Sequence, residues 1–177
     1  SNMCHESSGR GLSETIGIGK GTVTLDDFDK TSLVIVMGQN PGTNHPRMLS
    51  ALESTKKNGG KIIHVNPLPE AGLVRFKHPQ DYMKLSFKST KLSDLHLPVK
   101  INGDVALMKG IGKYLLEKKN KGMHQFDDDF INKKTNNFNE YIESLEKEDW
   151  DLIVSRSGLS KKLIESAGEI VSESKSI

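Results

Sequence analysis

The residue pair best suited to chemistry lies at the start of the chain, where Cys4 is followed directly by His5. Cys4 is the only cysteine of the 177-residue sequence. A thiolate beside an imidazole can ligate a metal or act as a nucleophile, because a neighbouring cation lowers a thiol pKa. Adjacent side chains in an extended segment point in opposite directions, which disfavours a direct ion pair. The two residues alone therefore leave three roles open for Cys4: an inert thiol, a nucleophile and a metal ligand.

Three loops carry residue types that bind ligands rather than catalyse reactions. They are rich in Gly, Asn, Pro and Thr, which supply backbone amides, tight turns and neutral hydrogen-bonding groups. Their sequences are GQNPGTNH at 38–45, NPLPEAG at 66–72 and KINGD at 100–104. The amides around Gly42, Thr43 and Asn44 precede a predicted helix and are expected to be free to meet a phosphate. Asn66 and Asp104 could accept hydrogen bonds from a purine amine or from ribose hydroxyls.

The elements that position these loops follow an α/β pattern. Two β-branched runs, at 32–38 and 61–67, predict strands buried on both faces, with a helix between them from Pro46 to Gly59 or Gly60. A third short strand is predicted at 94–99, followed by a helix that Asp104 would cap. The predicted fold class is therefore α/β, with a parallel sheet flanked by helices. Loops after parallel strands meet at one edge of the sheet, where ligands bind.

The second half of the chain predicts helices. A helix, turn and helix are expected within 125–145, and an amphipathic helix begins at Ser160. The segment 151–154 is ambiguous between strand and helix. The residues expected to face the core are Leu107, Met108, Ile111, Leu115, Phe130, Phe138, Tyr141, Leu145, Leu163, Ile164, Ala167 and Val171.

Composition restricts the class of protein. The net charge of +2 is too balanced to indicate nucleic-acid binding, and the lysine clusters are typical of solvated helix faces. The sequence contains no apolar run of 18 residues and no signal-peptide pattern. One cysteine cannot form an internal disulfide, so a reducing, cytoplasmic compartment is expected. The length suits a single domain over residues 1–177, and Ser1 and Asn2 resemble a tag remnant, which predicts an excised piece of a longer chain.

Two short motifs resemble functional signatures but do not match them. GIGKG at 17–21 resembles a dinucleotide fingerprint but precedes the first strand instead of following it. SRSGL at 155–159 does not match the nucleophile elbow of hydrolases. On the residues alone, the three loops remain open to two interpretations, namely ordinary turns or one site of nucleotide size.

Four segments together resemble a known family. They are CHESSGRGL at 4–12, LDDFDKTSLVIVMGQNPGTNHPRML at 25–49, GGKIIHVNPLPEAGL at 59–73 and NGDVAL at 102–107. In this order and spacing they resemble the molybdopterin oxidoreductases related to the formate dehydrogenase alpha subunit. The resemblance covers essentially the whole chain. It implies a Rossmann-like cofactor-binding domain of the formate dehydrogenase and DMSO reductase type, as an internal piece of a larger enzyme.

The resemblance also implies a cofactor and its ligands. The cofactor is a bis-molybdopterin guanine dinucleotide holding molybdenum, or tungsten, with Cys4 as the protein ligand of the metal. His5 falls beside it, where it would assist proton movement. The three loops match the segments that lie against the guanine dinucleotide. The implied cofactor-binding residues are Gly38, Gln39, Asn40, Gly42, Thr43, Asn44, His45, Asn66, Pro67, Leu68, Asn102, Gly103 and Asp104.

The implied function is two-electron redox chemistry on a small, formate-like substrate. The chain differs from formate dehydrogenases at Glu6 and Ser7, where those enzymes have Gly-Pro, and at 66–68, where Asn-Pro-Leu replaces Asp-Pro-Arg. The substrate is therefore left open. Implied partners are the rest of the parent chain and an electron-transfer partner, with any 4Fe-4S cluster in an upstream segment. The isolated piece is expected to be inactive. Two alternatives are a nucleotide-binding or regulatory module without redox chemistry and a thiol enzyme that uses Cys4.

Overall fold

The structure is a computed structural model that describes residues 6–76 and 89–177. Cys4 and His5 lie outside the described residues. In chain order the elements are α1 (Glu6–Ile16), α2 (Asp27–Lys30), β1 (Leu33–Met37), α3 (Pro41–Asn44), α4 (Pro46–Lys57), β2 (Lys61–Val65), α5 (Ala71–Val74), β3 (Leu95–Leu97), α6 (Asp104–Asn120), α7 (Asp128–Lys134), α8 (Phe138–Lys147), α9 (Trp150–Ser157) and α10 (Lys161–Glu173). The predicted α/β class is confirmed.

The three described strands form a parallel sheet in the order β1-β2-β3. Met37 pairs with Val65, and Val65 pairs with Leu97, so the strands end level with one another. The loops that follow the strands therefore leave from the same edge. Among the described strands the spatial order equals the chain order, so no reversal of strand order marks a crevice in this part of the sheet.

Two apolar clusters cover the two faces of the sheet. On one face, Ile63, Val65 and Leu97 pack against α6, α9 and α10. On the other face, Val36 and Ile62 pack against buried residues of α4, of the loops and of α5. Each fully buried aliphatic side chain contributes roughly 1.5–3 kcal/mol to folding. The continuous apolar runs of β1 and β2 follow from this arrangement, because their residues alternate between two buried faces.

The ambiguous segment 151–154 lies inside helix α9, so the strand alternative is wrong. The Asp149 carboxylate accepts a hydrogen bond from the Asp151 amide at 2.9 Å and begins the helix. Gly158 ends it in the left-handed conformation, with φ at 75°. A residue without a Cβ adopts this conformation without strain. The helix predicted from Ser160 is confirmed, because the Ser160 hydroxyl accepts from the Leu163 amide at 3.3 Å.

Several core assignments are wrong in the second half of the chain. Met108, Phe130 and Tyr141 are 43%, 57% and 48% exposed, whereas Leu145 is buried as predicted. Met108 is one position from buried Leu107, and a helix turns by about 100° per residue, which moves its side chain off the buried face. Phe130 lies on α7, which contributes no residue to either core cluster.

Two helix starts also differ from the sequence-based expectation. Gly103, not Asp104, occupies the cap position of α6, and Asp104 is the first helical residue. Helix α1 was not predicted, because it contains no buried residue and its sequence is rich in Gly and Ser. Among the described residues, no helix combines the length and the apolar character that crossing a membrane requires.

Candidate functional site

The first loop leaves β1 in a tight turn that uses most of its own amides. Gly38 has φ at 63°, and its amide donates to the Val65 carbonyl at 2.9 Å. Asn40 begins the single turn of α3, and its backbone carbonyl accepts from the amides of Thr43 and Asn44 at 3.1 and 3.0 Å. The Asn40 side chain also accepts from the Thr43 amide at 3.3 Å. The expectation that the Thr43 and Asn44 amides are free for a phosphate is therefore wrong.

Side chains join the first loop to the second. The Asn40 amide nitrogen Nδ2 donates to Glu70 Oε2 at 2.6 Å. Asn66 makes the second connection, because its Nδ2 lies 3.4 Å from the Gln39 carbonyl oxygen. The Asn66 oxygen Oδ1 accepts from the Leu68 amide at 3.2 Å, which folds the second loop back on itself. Asn40, Gln39, Asn66 and Leu68 are thus brought together, as the sequence predicted for residues that follow neighbouring strands.

A pair of glycines lets the backbones of these two loops meet. A Cβ added to Gly42 would lie 3.3 Å from the Gly72 Cα, and one added to Gly72 would lie 3.0 Å from the Gly42 Cα. Side chains at either position would push the loops apart, since atoms this close leave no room for them. The two backbones therefore lie directly against each other, and this contact holds the first loop to the second.

The third loop is attached to helix α9. The Lys100 amide donates to the Ser157 carbonyl at 2.9 Å, and the Gly103 amide donates to the Lys100 carbonyl at 2.8 Å. Asn102 adopts the left-handed conformation, with φ at 66°. Gly103 is packed closely, because an added Cβ would lie 2.9 Å from the Arg156 carbonyl oxygen. The third loop is therefore hydrogen-bonded to α9, and it is joined to the sheet through the chain that follows β3.

Two histidines lie beneath the loops on neighbouring strands. His64 of β2 is fully buried, and its ring stacks on that of His96 of β3, with centroids 4.8 Å apart. Burial, followed by the charge of His96, lowers the pKa of His64 to about 4, so its ring is neutral at pH 7. His96 Nε2 lies 2.9 Å from the Asn66 carbonyl oxygen. The sheet thereby contacts the second loop through a side chain.

Comparisons with known proteins match the chain to parts of much longer proteins. No protein-family profile matches it. An uncharacterized oxidoreductase of Mycobacterium tuberculosis is 55% identical over 117 residues, which are 66% of this chain and 15% of that protein. Protein YdeP of Escherichia coli is 44% identical over 170 residues, which are 93% of this chain and 22% of that protein.

One named enzyme is similar in sequence, and one solved structure is similar in fold. Formate dehydrogenase H of Escherichia coli is 25% identical over 174 residues, covering 98% of this chain and 21% of that enzyme. Acetylene hydratase from Pelobacter acetylenicus has the same fold over 80% of this chain and 16% of its own, with a TM-score of 0.61 and 18% identity. The chain is homologous to a segment of the molybdopterin oxidoreductases. The predicted family is confirmed, and the chain spans less than a quarter of the length of these relatives.

The described residues of this molybdopterin oxidoreductase segment do not by themselves form a metal site. Within 6–76 and 89–177, no three His, Cys, Asp or Glu side chains cluster in a way that could hold an ion. Two cationic side chains lie at or beside the loops: Arg47 is exposed at the start of α4, and Lys100 Nζ donates to the Ser155 carbonyl oxygen. A groove of about 800 Å³ follows β1 and touches the first loop only at Gln39.

Three residues that hold the loops in place were not predicted from the sequence. Glu70 lies inside the second loop, but a lone carboxylate in a loop gives no signal that it will contact Asn40. His96 was treated as an ordinary strand residue. Ser157 belongs to a segment excluded as a nucleophile motif, yet its backbone holds Lys100. Only the spatial register of the strands and helices could have indicated these contacts.

Proposed function

We propose that the chain is the cofactor-binding part of a molybdopterin oxidoreductase that performs two-electron chemistry on a small substrate. The observation that carries the proposal is the edge of the parallel sheet, where the first and second loops are joined by hydrogen bonds of Asn40, Asn66 and Glu70 and by the backbone contact between two glycines. This edge would hold a guanine dinucleotide end of the cofactor. The rest of the parent protein would enclose the remainder.

The glycine pair supports a nucleotide at this edge. Gly42 and Gly72 bring the backbones of the first and second loops into direct contact, so that both loops can face one ligand at the edge of the sheet. The residues proposed to contact the nucleotide on this side are Gly38, Gln39, Asn40, Gly42, Thr43, Asn44, His45, Asn66, Pro67 and Leu68. Pro67 and Leu68 are exposed at the tip of the second loop, where a ligand could reach them.

The third loop would recognise the base. Asp104 is half-buried in the first turn of α6, where its carboxylate benefits from the positive end of the helix dipole. A carboxylate accepts hydrogen bonds from the ring and exocyclic N–H groups of guanine, which adenine does not present in the same pattern. Asn102 and Gly103 would border that contact. We therefore expect guanine nucleotides to bind more tightly than adenine nucleotides.

Catalysis is assigned to residues outside the described range. By the family resemblance, Cys4 would ligate molybdenum or tungsten as a soft thiolate, and His5 would hold or move a proton beside it. The metal, when bound, would supply the two-electron chemistry. A formate-like substrate, an electron-transfer partner, an upstream 4Fe-4S cluster and a cytoplasmic location belong to the same proposal. A relative that is 25% identical is a formate dehydrogenase, which supports a small substrate, while formate itself is left open because Glu6, Ser7 and 66–68 differ from those enzymes.

The test uses the larger protein that contains this chain. Purified wild type is analysed for molybdenum, tungsten and released pterin, beside Cys4→Ala, Cys4→Ser and Gly72→Ala variants. We expect metal and pterin in the wild type. Cys4→Ala should retain pterin, because the loops still hold the nucleotide, but it should lose redox activity. Cys4→Ser should keep an oxygen ligand for the metal. Gly72→Ala should lose pterin. A wild-type protein with neither metal nor pterin would contradict the proposal and favour a nucleotide module without redox chemistry.

A further inference from the structure

The buried ring of His64 has no hydrogen-bonding role in the described part of the chain. Both of its ring nitrogens are buried, and neither has a hydrogen-bond partner among the described residues. Burying a polar group without a partner costs stability, and an aliphatic side chain would fill the same space. Within 6–76 and 89–177, the ring contact found for His64 is the stack on His96, with the ring planes inclined by 26°. The role of His64 is therefore to be sought in what it does to His96.

His96 makes a directed hydrogen bond to the second loop. A carbonyl oxygen only accepts hydrogen bonds, so the 2.9 Å contact between His96 Nε2 and the Asn66 carbonyl requires a proton on Nε2. Asn66 in turn contacts Leu68 through Oδ1 and Gln39 through Nδ2. The Nε2–H group of His96 therefore holds Asn66, which contacts both the first and the second loop at the proposed nucleotide-binding edge.

We infer that His96 is a positioning residue of this edge, that its Nε2–H group holds the Asn66 carbonyl, and that the ring of His64 fixes its orientation by stacking. The inference rests on the proposed function only for the identity of the ligand. A ring that merely filled space would not need a proton on one particular nitrogen. The hydrogen-bonding nitrogen is therefore the property to test.

Two variants separate the hydrogen bond from the space that the ring occupies. In His96→Gln the side-chain amide nitrogen reaches the place of Nε2, whereas in His96→Asn the shorter side chain reaches only the place of Nδ1. Both replacements are polar and uncharged, so a general loss of packing affects both. Only the Gln variant can restore the bond to the Asn66 carbonyl.

The first measurement is nitrogen-15 NMR of the histidine rings in the unaltered 177-residue chain at neutral pH. The inference predicts that Nε2 of His96 carries a proton. It also predicts that His64→Leu, which removes the stacked ring, allows His96 to exchange between tautomers. A His96 ring that carries its proton on Nδ1 in the unaltered chain would overturn the inference.

The second measurement is the affinity of the chain for GDP. We expect His96→Gln to bind within about twofold of wild type and His96→Asn to bind about tenfold more weakly, as the loss of one buried hydrogen bond implies. Equal losses in both variants would overturn the inference. If wild type does not bind GDP, the proposed function fails instead. Hydrogen exchange at the Leu68 amide then decides the inference, which requires faster exchange in His96→Asn than in His96→Gln.

Discussion

The loops at the edge of the sheet are held in two different ways. The first and second loops contact each other through polar side chains, with Asn40 bonded to Glu70 and Asn66 lying against Gln39. The third loop is fixed by the backbone of α9, through the Lys100 amide and the tight packing of Gly103. The first two loops therefore depend on particular polar side chains in addition to the Gly42–Gly72 contact, whereas the third loop depends on the absence of a side chain at Gly103.

This difference predicts different responses to substitution. A polar contact between half-buried side chains contributes about 1 kcal/mol and can be lost without moving the backbone. A clash between a new side chain and a helix backbone has no soft atom that can yield, so it displaces a whole element. Adding a side chain at Gly103 should therefore change stability, whereas removing the polar side chains between the first two loops should mainly change how the loops are coupled.

The largest effect is expected from Gly103→Ala. Gly103 has φ at −90°, which alanine also adopts, but the new Cβ would lie 2.9 Å from the carbonyl oxygens of Arg156 and Lys100. We expect a loss of about 3 kcal/mol and a melting temperature lower by roughly 10 °C. Gly11→Ala is the matched control, since no atom lies within 4 Å of its added Cβ. Similar melting temperatures for the two variants would refute the packing argument.

The next largest effect is the pH dependence of stability that arises from buried His64, beneath the first two loops. The pKa of His64 is lowered from 6.5 to about 4 in the folded protein. Between these two values the ring is protonated in the unfolded chain and neutral in the folded protein, so acid favours unfolding. Stability is therefore lost on acidification, by about 2 kcal/mol between pH 7 and pH 5. His64→Leu should lack this part of the pH dependence. Urea unfolding at both pH values measures it, and an unchanged difference between them in the variant would contradict the assignment.

A smaller effect tests the coupling between the first and second loops. A double-mutant cycle with Asn40→Ala and Glu70→Ala should give an interaction energy of about 1 kcal/mol, because their side chains are bonded at 2.6 Å. The same cycle with Asn40→Ala and Lys100→Ala should be additive, since Lys100 is bonded to α9. Coupling of equal size in both cycles would remove the distinction between the two regions.

The smallest effect is expected from Lys100→Met. Lys100 is exposed, and its ammonium group donates to the Ser155 carbonyl at 3.1 Å. Methionine keeps the apolar stem that lies against Gly158 and the backbone amide that bonds to Ser157. We expect stability within about 0.5 kcal/mol of wild type. A loss as large as that of Gly103→Ala would show that the side chain, not the backbone, holds this loop.

The sequence predicted those parts of the fold that are encoded locally. The β-branched runs of β1 and β2 and the Pro-to-Gly limits of α4 were correct, because burial on two faces and helix-end residues leave direct patterns. Helix α9 was ambiguous, since its four apolar residues suit a strand as well, and only the Asp149 cap and Gly158 resolve it. Helix α1 buries no residue, and its two apolar residues, Leu12 and Ile16, are too few to indicate a helix.

The candidate site was predictable in its location but not in its bonds. Loops after parallel strands were correctly expected at one edge, because parallel pairing alone requires it. The contacts Asn40–Glu70 and His96–Asn66 join residues 30 positions apart. They depend on strand register and loop conformation, which single positions in a sequence do not specify. The hydrogen bonds from the Thr43 and Asn44 amides to the Asn40 carbonyl were not predicted for the same reason.

The most direct test of the central claim is an NMR titration of the nitrogen-15-labelled chain with GDP, with ADP as the comparison. A nucleotide at the sheet edge should shift the amide signals of 38–45, 66–72 and 100–104, and GDP should bind more tightly than ADP. Shifts confined to the groove along β1, or no shifts with either nucleotide, would contradict the proposal that these three loops hold the guanine end of the cofactor.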